Sequence, residues 1–61
     1  MAFMVYVYAA GTDPEVDEPV EVHGPIASDY GVSLLSARIK ETEREAGSMP
    51  SSLRVEEVIV R

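Results

Sequence analysis

One amphipathic stretch, residues 28–47, sets the strongest limit on how this 61-residue chain can fold. Plotted at about 100° per residue, five apolar or small side chains gather in a stripe less than a right angle wide. They are Val32, Leu35, Ile39, Thr42 and Ala46. The charged residues Lys40, Glu41, Arg44 and Glu45 face away from the stripe. The pattern predicts a helix over residues 28–46 that lies on an apolar surface.

Both ends of this helix carry recognisable signals. Ser28 can cap the first turn with its hydroxyl oxygen, and Asp29 places a negative charge where the helix dipole is positive. Gly47 can take the left-handed conformation that ends many helices, and Pro50 follows it. Gly31 weakens the first turn.

The predicted first strand, residues 2–9, is apolar on both of its faces. Phe3, Val5, Val7 and Ala9 point one way, and Met4, Tyr6 and Tyr8 point the other. A strand of this kind is usually central and covered on both sides. We therefore place it in the middle of the sheet.

Two further strands are predicted, over residues 19–23 and 53–60. Pro19 suits the beginning of an edge strand, and Gly24 with Pro25 is expected to end it. Within that strand Val20 and Val22 are expected to point inward, and Glu21 and His23 outward. The apolar face of residues 53–60 changes partway, which a bulge or burial of both faces near the C-terminus would explain.

The order strand, strand, helix, strand predicts a single α+β domain. One helix packs on a three-stranded antiparallel sheet with the spatial order 2-1-3, and a mixed sheet in another order is the alternative. So short a chain hides only about 60% of its unfolded surface, so that one core is marginal. It has no cysteine and one histidine, which excludes disulfides, thiolate metal sites and His-rich zinc sites. Self-association, with a dimer favoured, is the remedy that remains.

A single helix covers one sheet face and leaves the other apolar. The predicted interface residues are Met4, Tyr6, Tyr8, Val58 and Val60, with Leu34 on the side of the helix. Either the loop of residues 11–18 folds over this surface, or a second copy packs against the sheet face or an edge strand, which we favour.

Eleven acidic and five basic residues give a net charge of −6, which argues against direct binding to nucleic-acid phosphates. Four acids lie in the predicted loop of residues 11–18: Asp13, Glu15, Asp17 and Glu18. Their spacing lacks the central glycine and terminal glutamate of an EF-hand, so a solvated loop without metal is expected. No apolar run is long enough to span a membrane, and we expect a cytoplasmic protein without a cofactor.

Residues suited to chemistry are few. Glu21 and His23 share one strand face, where an imidazole beside a carboxylate can act as a general base, although we favour the simpler interpretation of an exposed strand histidine before a turn. Three hypotheses follow. The favoured one is a non-enzymatic protein–protein interaction module that self-associates through an apolar sheet face. The others are an acidic inhibitor or regulator that mimics nucleic acid, and a small oligomeric enzyme or ligand carrier whose site, built from His23, Glu21 and the tyrosines, lies at a subunit interface.

Overall fold

The computed structural model describes residues 1–59, which form three strands and one helix. In chain order these are β1 (Ala2–Tyr8), β2 (Glu21–Ile26), α1 (Asp29–Ala46) and β3 (Ser52–Val58). The sheet has the order β2-β1-β3, and β1 is antiparallel to both neighbours. The predicted α+β fold and the order 2-1-3 are confirmed.

The buried core is concentrated on β1. Val5 is completely buried, and Ala2, Val7 and Tyr8 are at most 5% exposed. β1 has a strand on each side, which satisfies its backbone along both edges. The strand that is apolar on both faces is therefore the central strand of the sheet, as predicted.

The pairing register divides the side chains between two faces of the sheet, because directly opposed residues of an antiparallel pair project to the same side. Val5 lies between His23 and Val55, and Val7 lies between Glu21 and Leu53. Phe3 pairs with Ile26, whose side chain contacts α1 at Gly31. We call the face of Phe3, Val5, Val7 and their partners the helix side. The face of Ala2, Met4, Tyr6, Tyr8 and their partners is the far side.

The structure corrects the prediction for β2. The strand extends from Glu21 to Ile26, so Gly24 and Pro25, which were expected to end it, lie within it. The register with β1 shifts between Phe3 and Val5 at this point, as in a β-bulge. Gly24 has a φ of 131°, and a β-carbon there would lie 2.7 Å from the carbonyl oxygen of Phe3. Only glycine fits this close approach.

The expected facing of β2 is also wrong. Val22, which was expected to point inward, pairs with Tyr6 on the far side and is 52% exposed. Glu21 and His23, expected to point outward, project to the helix side. Because side chains alternate with a period of two, the facing of a strand depends entirely on its register, and the register here follows a long loop instead of a tight turn.

Both predicted caps of α1 are present. The Ser28 hydroxyl accepts a hydrogen bond from the Gly31 N–H at 3.1 Å. Gly47 has a φ of 70°, its N–H donates to the Arg44 carbonyl oxygen, and the Ser48 N–H donates to that of Glu43. These paired bonds form a Schellman motif.

The helix stripe is confirmed in part. Val32, Leu35 and Ile39 are half-buried, whereas Thr42 and Ala46 are exposed and Glu43 is half-buried in their place. The four charged residues assigned to the back of the helix are all exposed. No residue of α1 is fully buried. The helix therefore rests lightly on the sheet.

The molecule is flat and open for its size. Its Cα atoms extend 39 × 26 × 12 Å, and its radius of gyration of 12.0 Å exceeds the roughly 10.5 Å typical of a chain this long. α1 packs mainly on β1 and β2. On β3, at the margin of the helix side, Val55 is 47% exposed. The helix thus leaves the β3 part of this face open.

Candidate functional site

A groove with a volume of about 610 Å³ lies between α1 and the sheet. We call it the helix–sheet groove. Its apolar lining comes from both layers: Val7, Ala9, Ala10, Val20, Leu35, Ile39 and Met49. Its polar residues are Glu21, His23, Arg38, Thr42, Glu43 and Ser51. An apolar cleft of this size with a few polar groups has the general form of a small-molecule site.

His23 and Glu21 form a hydrogen-bonded pair in this groove. The alternation of β2 puts both side chains on the helix side, and His23 Nε2 lies 2.8 Å from Glu21 Oε1. An ionised carboxylate can only accept, so the Nε2–H of His23 donates in this contact. The sequence predicted this pair but placed it on the opposite side of the strand. The tyrosines of the third functional hypothesis do not join it, because Tyr6 and Tyr8 project to the far side.

Glu43 and Ser51 form a second polar contact, which links the helix to the segment before β3. The Ser51 N–H donates to Glu43 Oε2 at 3.0 Å. Within the described part of the chain, the buried atoms Glu43 Oε1 and Ser51 Oγ have no hydrogen-bond partner. Sequence reasoning missed both residues. The available signal was the position of Glu43 four residues after Ile39, which puts it on the flank of the apolar stripe.

The predicted interface residues do not form one surface. Met4 and Tyr6 are half-buried on the far side, as is Val58, which pairs with Ala2. Leu34 is exposed on α1, and the helix covers the opposite face of the sheet. Val60 lies outside the described residues. Whether any of these residues contacts a partner stays a prediction.

Tyr8 is only 4% exposed, so the chain itself covers the end of the far side. Asp13, Pro14 and Glu15 line a shallow concavity together with Arg54, which projects to the far side opposite Tyr6. The loop after β1 therefore lies over this end of the sheet. This is the arrangement that the sequence left as the alternative to a second copy, and it applies to part of the face.

Two of the four loop acids organise the loop itself. Asp17 Oδ2 accepts the Asp13 N–H at 2.8 Å, and Asp13 Oδ1 accepts the Glu15 N–H at 3.0 Å. Glu15 and Glu18 are exposed. In residues 1–59 no group of three His, Cys, Asp or Glu side chains is placed to hold a metal ion. Local turn formation accounts for Asp13 and Asp17 without a ligand.

Comparison of the chain with protein-family models, curated proteins and solved structures found no match. The one described helix is too polar to cross a membrane. The three antiparallel strands and the single helix of the described residues define an α+β fold.

Proposed function

We propose that this chain is a small, non-enzymatic protein–protein interaction module that self-associates through an apolar sheet surface. The observation that carries the proposal is the large solvent-accessible surface area of the folded chain. Its accessible surface is 4575 Å², whereas a folded monomer of this mass exposes roughly 3,900 Å². The difference is comparable with the surface that one partner contributes to a standard interface, about 800 Å².

Large exposed apolar side chains lie on both faces of the sheet and on the helix. Val22 and Val55 are exposed on the two edge strands, Tyr30 and Leu34 lie one turn apart on the helix, and Met49 follows the helix. Each Val, Leu or Met side chain moved from water into a well-packed interface contributes about 1.5–3 kcal/mol. Among residues 1–59 only four apolar residues are buried, and only Val5 completely, so the chain gains stability when a second copy covers such groups.

The test of this proposal is the solution mass measured by light scattering over a wide range of protein concentration, at low and high salt. We expect a dimer that persists in salt, because apolar burial is not screened by ions. A protein that remains monomeric up to about millimolar concentration contradicts the proposal.

A companion test concerns the far side, where the sequence placed the interface. Tyr6→Glu puts a charge in the middle of that face, and an interface there predicts a larger loss of association than of monomer stability. The exposed loop substitution Val16→Glu is the matched control. If association is unchanged in Tyr6→Glu, the interface lies elsewhere on the molecule.

A second candidate function, a carrier of a small amphiphilic ligand, is favoured by the helix–sheet groove. Its apolar walls and the acceptor oxygens of Glu21 and Glu43 suit a primary amine with a short alkyl chain. We expect octylamine, and not octanoate, to shift the NMR signals of the Leu35 and Ile39 methyl groups saturably. Equal shifts with both compounds, or none with either, exclude this function. Among the contacts of residues 1–59 none favours the nucleic-acid mimic, which stays a prediction of the charge pattern.

A further inference from the structure

β3 is an edge strand whose outer side is free of any described strand. It pairs with β1 without interruption from Ser52 to Val58 and contains no proline. In such a strand the backbone groups of alternate residues point away from the sheet. β2, the other edge, is less suited to receive a strand, because its register is interrupted and Pro25 lacks a donor N–H. β3 is therefore the edge open to extension.

The side chains of β3 restrict how two copies of it can pair. Suppose that two antiparallel copies of β3 are related by a two-fold axis perpendicular to the sheet. Directly opposed side chains must then project to the same face of the sheet, so the axis passes between two copies of one and the same residue. With Val55 on the axis, the full strand overlaps and Arg54 lies opposite Glu56 of the partner subunit. Opposite charges directly across a strand pair attract, and like charges repel. An axis through Arg54 or Glu56 instead brings identical charges together.

On both faces of the sheet, the side chains that this pairing brings together suit each other. Val55, exposed at the margin that α1 leaves open, meets Val55 of the partner subunit on the helix side. Arg54 and Glu56 project to the far side and are about half exposed, where they already lie 3.9 Å apart within one chain. Pairing two copies replaces this weak local contact with two cross-strand ion pairs.

We infer, on the basis of the self-association proposed above, that two copies join through their β3 edges and not through the far-side face tested with Tyr6→Glu; Val55 lies on the two-fold axis, and the two sheets form a continuous six-stranded antiparallel sheet. Each helix then lies on its own half of the sheet, and the valines fill the space between them. Main-chain hydrogen bonds between the two β3 strands hold the copies together, and the ion pairs between Arg54 of one copy and Glu56 of the other select the register.

Charge reversal tests this arrangement with matched variants. R54E and E56R each convert two attractive cross-strand pairs into two repulsive ones, and we expect each to raise the dimer dissociation constant roughly ten- to thirtyfold. An equimolar mixture of R54E and E56R restores opposite charges at both positions and forms a heterodimer. The double variant R54E/E56R restores them within a homodimer, with a dissociation constant within about threefold of the original protein. Sedimentation measures association, and circular dichroism checks the fold of each variant.

A measurement on the unmodified protein avoids any effect of substitution on folding. Amide hydrogen exchange across a dilution series should show protection that grows with protein concentration within residues 52–58 and not within residues 21–26. Growth of protection only in residues 21–26, or none in residues 52–58, overturns the inference.

The outcomes separate this inference from the broader proposal. A dimer whose dissociation constant is unchanged in R54E and E56R leaves self-association standing and removes the β3 edge as its site. Weakening by both variants without recovery in the mixture or the double variant overturns the register. A monomeric original protein overturns both.

Discussion

Gly31 of α1 lies so close to Ile26 of β2 that a β-carbon at position 31 would come within 2.7 Å of the Ile26 Cγ2 atom. The first turn of the helix thus rests directly on the end of the strand that precedes it. A glycine in a helix usually costs about 1 kcal/mol relative to alanine. Here the missing side chain allows two consecutive elements to touch.

Gly31→Ala is therefore expected to lower the free energy of unfolding by about 1 kcal/mol, because the overpacking exceeds the gain in helix propensity. Ser33→Ala, at an exposed position in the same part of the helix, is the matched control and should be neutral or slightly stabilising. Urea titration measures both. Combining Gly31→Ala with Ile26→Ala removes the clashing atom, so the two effects should be non-additive. Stabilisation by Gly31→Ala would contradict the close approach.

Ile39→Asp is expected to abolish cooperative folding, because it puts a carboxylate where the helix meets the sheet and removes apolar contact. Ala37→Asp, on the exposed back of the same helix, adds the same charge and should cost less than about 1 kcal/mol. Thermal unfolding followed by circular dichroism compares the two. A melt of Ile39→Asp like that of the original protein would show that α1 does not depend on this contact.

Glu43→Ala should lower the free energy of unfolding by about 1–2 kcal/mol, since it leaves the Ser51 N–H without its acceptor. Glu43→Gln keeps an acceptor oxygen and should lie close to the original protein. Glu45→Ala, exposed two residues later, controls for the loss of a helical carboxylate. Equal effects of Glu43→Ala and Glu45→Ala in urea titrations would assign no special role to the contact.

Asp17→Ala should loosen the loop after β1, because Asp17 accepts the Asp13 N–H. We expect a loss of about 0.5–1 kcal/mol in unfolding free energy and faster amide exchange at Asp13. Glu18→Ala removes a neighbouring exposed acid and is expected to change neither quantity. If both variants behave alike, the loop acids act only through their summed charge.

The helix shows how much local sequence can predict. Its caps at Ser28 and Gly47 were predicted because capping depends on residues within one turn of each other. The flank was less predictable: Glu43 is half-buried because Ser51, eight residues away, donates to it. A helical projection contains no information about that second segment.

The His23 and Glu21 pair shows the same division for the candidate site. Their spacing of two predicted a shared strand face, and the 2.8 Å contact between the side chains agrees. The choice of face was wrong, because it depended on how β2 pairs with β1 across a long loop. The groove that the pair lines also requires α1, so no stretch of sequence by itself could predict it.

The amino-acid sequence by itself determined the number and order of the elements, the ends of the helix and the central place of β1. These follow from periodicity and capping within short segments, and from the two-sided apolar pattern of one strand. Only the tertiary structure decided which face β2 presents to the helix, that Tyr8 is buried, and that β3 remains an open edge among the described residues. The reason is physical: a shift of one residue in strand register reverses every side chain, and that register is set by contacts between distant segments.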